Sequence, residues 1–245
     1  MLGWGIHCFK KADFPMRFLM SCLVLLALSA CGYVNYKDLK AGSFSGAVHV
    51  YWVGENNTAF GDGNFVYVPV RGQELTFTRT RANGEVQVIR PEPFYTDGGS
   101  VPKPLQSIGG MSAWGYAPAY IIHDWLFVAR KCVNDGKQPT AHEVEIVGDM
   151  SFQESADIMG ETIKTLIESN RVKRRELSPV AISWATAGPV SRNLWNEETC
   201  VRLHPTHLAN IQHLIGDGRL AGIQARSKRN ERTGGPQLVG TISFD

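Results

Sequence analysis

Residues 95–104 read Y-T-D-G-G-S-V-P-K-P, and residues 117–127 read A-P-A-Y-I-I-H-D-W-L-F. Between them the chain changes character. Upstream, short apolar segments alternate with turns; downstream, apolar residues recur at helical spacing. That change sets the fold class. It is α+β, with an antiparallel β meander over about 48–90 and a mainly helical half over about 116–215.

In the upstream half, Val48, Val50 and Trp52 alternate with His49 and Tyr51. N-F-V-Y-V-P-V at 64–70, E-L-T-F-T-R-T at 74–80 and V-Q-V-I-R at 86–90 follow, separated by Gly-containing turns. Asn83-Gly84 tolerates the positive φ that a tight hairpin needs. Short strands at this spacing pair antiparallel. The segment 74–80 keeps one face polar, so one side of the sheet is expected to meet water.

In the downstream half, Pro118 suits a first helical turn. The segment to about Lys131 is apolar nearly all round, which marks a buried helix ended by N-D-G at 134–136. Thr140 and Glu143 form a capping box for the next helix, with His142 and Glu143 expected to be exposed. A helix over Ser151–Glu168 carries Phe152, Ala156, Met159, Ile163, Leu166 and Ile167 as its apolar stripe. Residues 171–175 give it a basic end that complements its dipole. Residues 178–196 predict another helix, broken near Gly188-Pro189, and 206–215 a short one. Residues 221–238 are polar and basic, and weak order is expected there.

His123 and Asp124 stand in the middle of the first helix. A buried imidazole needs a hydrogen-bond partner or a metal. Adjacent side chains on a helix project about 100° apart, so the two share a ligand only if it lies between them. Asp97 can serve as a turn carboxylate or face a cleft. An adjacent His-Asp also occurs in metal phosphohydrolases, with a separate upstream His. Here His49 is the one upstream candidate in the mature chain, and its strand position argues against that class. Ser100 lacks the strained elbow of a nucleophilic serine. His204, His207 and His213, with Asp217, form a weaker metal candidate.

The 245 residues are 43% hydrophobic and 20% charged, with a formal net charge of +2. Lys10, Lys11 and Arg17 against Asp13 account for that surplus, so the remainder is neutral. A balanced chain argues against nucleic acid as a partner through overall charge. Residues 16–31 read M-R-F-L-M-S-C-L-V-L-L-A-L-S-A-C. A basic residue, a short apolar run and small residues make a secretory signal. The ending L-S-A-C resembles the lipobox of bacterial lipoproteins. The resemblance implies acylation of Cys31, with the lipid bilayer as partner. With Gly32 rather than Asp next, it implies the outer membrane of the cell envelope, facing the periplasm. The expected layout is a signal peptide over 1–30, a lipidated tether over 31–46, a domain over 47–200 and a partly flexible extension over 201–245. Cys132 and Cys200 remain, and in an oxidising compartment they are candidates for one disulfide.

T-D-G-G-S-V-P at 96–102, H-D-W-L at 123–126 and A-D-I-M at 156–159 together resemble the domain of unknown function 1353, found in phages and bacteria. The resemblance runs from roughly Val48 to Trp195. The chain departs from it at Lys103, where members often carry Arg, and in a longer segment over 132–150. Carried over by motif, the site comprises Thr96, Asp97, Ser100, His123, Asp124 and Asp157. The resemblance implies a shared fold and site but no reaction. Two readings follow. In one, the His-Asp centre has a structural or ligand-binding role in an envelope lipoprotein. In the other, Asp97, His123 and Asp124 are catalytic in a hydrolase acting on a cell-envelope substrate, with water or a divalent metal on Asp97, His123 and Asp157. No specific cofactor is identified by the residues.

Overall fold

Strand β1 (Ser43–Gly54) is the strand on which the sheet is assembled. The computed structural model describes residues 34–55, 63–98, 114, 116–173, 182, 186–216 and 236–244. All lie in one compact unit, Tyr33–Asp245. The signal sequence, Cys31, Ser100, Lys103 and Asp217 lie outside the described residues.

Residues 48–54 of β1 pair antiparallel with β2 (Asn64–Pro69), and residues 43–45 pair with β3 (Thr76–Thr80). β4 (Val86–Ile89) pairs with β3 across the Asn83-Gly84 turn, and β5 (Phe94–Thr96) pairs with β2. The α+β class and antiparallel pairing hold. The strand order, β4-β3-β1-β2-β5, is not that of a simple meander. After β2 the chain stays with β1. Val70 and Leu75 N–H both donate to Ala47 O, at 3.0 and 3.1 Å, and Ala47 N–H donates to Gln73 O at 2.6 Å. Gly46, at φ +78°, makes this approach feasible, since a Cβ there would sit 2.1 Å from Glu74 O. Only glycine takes that conformation without strain and leaves that space.

Five helices follow among the described residues. In α1 (Ala117–Asp135) Pro118 sits in the first turn, and Gly136 ends the helix in the left-handed conformation. In α2 (Ala141–Val147) both hydrogen bonds of the Thr140–Glu143 capping box are present. Ser151 caps α3 (Phe152–Glu168) by accepting Glu154 N–H at 3.0 Å. Then come α4 (Pro189–Trp195) and α5 (Pro205–Gly216). None of these helices is long and apolar enough to cross a membrane.

The sheet buries both faces in part. Val48, Val50, Phe65, Tyr67, Phe77 and Ile89 pack with Ile121, Ile122, Trp125 and Leu126 of α1. On the other face Tyr51, Val66 and Val68 pack against Ile211 of α5. The water-facing side expected from residues 74–80 holds at β3 but does not extend over β1 and β2 at Tyr51, Val66 and Val68. Phe65-Val66-Tyr67-Val68 is apolar on both sides, the pattern of a strand covered twice. The Thr76, Thr78 and Thr80 side of β3 stays partly open, as do Ser43 and Ser45 of β1 and Val86 of β4.

The C-terminal segment supplies a strand that the sequence did not announce. β6 (Gln237–Phe244) pairs antiparallel with residues 46–52 of β1. Residues 34–42, expected in a tether, instead dock on α3. Val34 is buried with Ala156, and Gly42 N–H donates to Thr165 Oγ1 at 2.8 Å. Glu143 is buried rather than exposed. Arg202 reaches it with two bonds, of 2.5 and 2.8 Å, which compensates the buried charge. Cys132 and Cys200 are joined by a disulfide, which ties α1 to the segment after α4.

Candidate functional site

The site forms where β5 ends against α1. Thr96 is the last residue of β5, paired with Phe65 of β2. Its hydroxyl donates to Asp124 Oδ2 at 2.6 Å and accepts Gly98 N–H at 3.1 Å. Gly98 lies at φ +87°, which lets the chain turn back at once. One hydroxyl therefore shapes the turn and fastens it to the helix. A bond from a hydroxyl to a carboxylate is charge-assisted and stronger than a neutral one. Asp97 is half-buried beside it.

On α1, Tyr120, His123, Asp124 and Phe127 stand at i, i+3, i+4 and i+7, so they share one face. His123 is 7% exposed, and its ring lies 4.7 Å from that of Phe127. His123 Nδ1 stands 4.0 Å from Asp124 Oδ1, near enough for attraction but too long for a hydrogen bond. His123 Nε2 has no hydrogen-bond partner among the described residues.

Tyr67 and Tyr120 complete this surface, and sequence reasoning passed over both. Tyr67 enters from β2. Burial first, then the charges of Asp124 and Asp97, hold its phenol well above the ordinary range. Tyr120 is raised by burial, then by Tyr116 and Asp124. Both hydroxyls are thus kept protonated, as donors. The signal for Tyr67 was its parity with Phe65 along β2; that for Tyr120 was its place one turn before Asp124.

Thr96, Asp97, His123 and Asp124 are therefore neighbours. Asp157 keeps different company. It accepts a hydrogen bond from Gln153 at 3.1 Å, burial raises its carboxyl, and Arg79 and Glu154 supply the nearby charges. Among the described residues no three His, Cys, Asp or Glu side chains gather as metal ligands. His49 bonds Thr241 of β6 at 2.8 Å and sits beside Tyr51, on the sheet face covered by α5. His207 Nδ1 meets the Tyr95 hydroxyl at 2.8 Å, and that hydroxyl also accepts His204 N–H at 3.0 Å. The late histidines thus help seat α5 on β5.

A buried ionic network forms the second polar centre. Arg79 donates to both carboxylate oxygens of Glu161, at 2.6 and 3.0 Å, to Glu154 at 2.7 Å and to Gln87 at 3.0 Å. Arg79 and Glu161 are each 6% exposed. This network joins β3 and β4 to α3. Its signal was strand parity: Arg79 falls on the side of Leu75 and Phe77.

No curated protein and no solved structure matches the chain. Residues 73–161 match the family described as "Protein of unknown function (DUF1353)". That stretch contains the Thr96 turn, the His123–Asp124 helix and the Ala156-Asp157 helix, together with the Arg79–Glu161 pair. The resemblance to the DUF1353 family is thus borne out over residues 73–161.

Proposed function

We propose that this chain is a lipid-anchored protein of the bacterial envelope, with a His-Asp centred site of structural or ligand-binding role. The hydrogen bond from Thr96 Oγ1 to Asp124 Oδ2, at 2.6 Å, carries the reading of the site. It joins the end of the sheet to the central helix through the residues that the family motifs share. The Cys132–Cys200 disulfide supports an oxidising compartment. The L-S-A-C ending at Cys31 supports the anchor, with the outer membrane facing the periplasm as its place.

Thr96→Val keeps the shape and deletes the donor. It is expected to lower stability by about 1–3 kcal/mol, because Asp124 loses a charge-assisted bond. Urea unfolding reads this directly, and an unchanged midpoint would remove the structural part of the proposal. Palmitate labelling of the expressed chain tests the anchor. Label should enter the parent and not Cys31→Ser.

A second reading draws on His123 Nε2, a buried nitrogen without a partner among the described residues. Such an atom suits a base that activates water in a hydrolase of envelope substrates. Turnover of a peptidoglycan preparation, lost in His123→Gln while the fold is kept, would favour it.

A further inference from the structure

The hydroxyls of Tyr67 and Tyr120 and Nε2 of His123 are buried polar atoms without a hydrogen-bond partner among the described residues. The three residues are 1, 3 and 7% exposed. Folded proteins satisfy most such atoms, so several at one place call for a reason. These three belong to one place. Tyr120 and His123 share the α1 face with Asp124, and Tyr67 has the strand parity of Phe65, the register partner of Thr96, whose hydroxyl holds Asp124.

We propose that Tyr67, Tyr120 and His123 form a binding site for an uncharged amide group. The two phenolic hydroxyls donate to the amide carbonyl oxygen, and His123 Nε2 accepts the amide N–H. The donor and acceptor roles follow from the surroundings. Asp124 Oδ1 stands on the Nδ1 side of the ring, at 4.0 Å, and favours the proton there. Nε2 is then the acceptor. Tyr67, near Asp124 and Asp97, and Tyr120, near Asp124, stay protonated and donate. An anionic ligand would meet the charges of Asp97 and Asp124, and a cation would leave both hydroxyl hydrogens unused. An amide offers an acceptor and a donor in fixed relation, as a peptide bond does. This rests on the ligand-binding half of the proposed function and adds the chemical class.

The test uses the full chain in detergent, ¹⁵N-labelled at histidine, titrated with N-methylacetamide. The His123 ring signal is assigned by its loss in His123→Gln. A saturable shift of that signal is expected, with acetate and ethylene glycol giving none. Tyr67→Phe and Tyr120→Phe should each weaken the amide roughly two- to tenfold, the effect of one hydrogen bond. Each should also raise the Tm of the unliganded protein by about 2–4 °C, because an unengaged buried hydroxyl is removed. The proposal is overturned by a shift that stays linear to the solubility limit. Equal affinity in the Phe variants, preference for acetate or the diol, or a lowered Tm in both variants would also overturn it. The Thr96–Asp124 bond is judged separately by Thr96→Val, so the two failures are distinguishable.

Discussion

Arg79→Met should be among the most damaging single changes in this protein, and double replacement should undo most of the damage. Arg79 makes four hydrogen bonds of 2.6 to 3.0 Å to Glu161, Glu154 and Gln87. Methionine keeps most of the stem's packing and removes the cation. Glu154 retains Arg81 at 3.1 Å, but Glu161 loses both of its donors from Arg79 while 6% exposed. Removing one partner of a buried pair costs about 3–5 kcal/mol, most of it from the charge left behind. At roughly 2–4 °C per kcal/mol in a domain of this size, the Tm should fall by about 6–20 °C.

The pH dependence has a definite sign. Burial raises the Glu161 carboxyl above 4.5, and Arg79 pulls against this without cancelling it. The folded state therefore holds that proton more tightly than the unfolded state. The contribution is fully present below the unfolded value and is lost as pH rises through the folded one. Without Arg79 the folded value climbs further, so the deficit of Arg79→Met should be larger at pH 7 than near pH 5. Arg79→Met with Glu161→Leu leaves no stranded charge at that pair and should recover to within about 1–2 kcal/mol of the parent. Urea unfolding followed by far-UV circular dichroism at the two pH values reads all of this. A deficit under about 1 kcal/mol at pH 7, or one equal at both pH values, would refute the reasoning.

Other outcomes follow from single contacts. Cys132→Ser with Cys200→Ser opens a link spanning 68 residues, and chain entropy places the loss near 4 kcal/mol in equilibrium unfolding. Gly46→Ala meets both a positive φ and Glu74 O, so urea unfolding should show a loss of more than about 1 kcal/mol of stability; a neutral result would mean that the β2–β3 connection can move aside. Thr140→Ala removes the side chain that caps α2 and should cost about 1 kcal/mol by the same assay, with loss of helix signal at 222 nm.

Local features were legible because their causes lie within a few residues. Thr140 and Glu143 specify a cap, Gly136 a helix end and Asn83-Gly84 a reversal, whatever surrounds them. The His123–Asp124 pair was legible for the same reason: polar side chains in an apolar run stand out. Asp157 was placed by motif resemblance, and motif spacing says nothing of which charges fold around a helix face. Its neighbours proved to be Gln153, Arg79 and Glu154.

By itself, the sequence determined the α+β class, the positions of most helices, the two cysteines available to pair and the turn-and-helix origin of the site; that Cys132 and Cys200 do pair was decided by the tertiary structure. Tertiary structure alone decided that β3 returns to β1, that β6 joins the sheet and that α5 covers its second face. It also decided that Arg79, Glu143 and Glu161 are buried, and that Tyr67 and Tyr120 both lie within the influence of Asp124. The reason is physical. Helix caps and turns are satisfied by bonds a few residues long. Strand order and the pairing of buried charges are selected by contacts between distant segments, where closure entropy and mutual burial leave no mark on any one stretch of sequence.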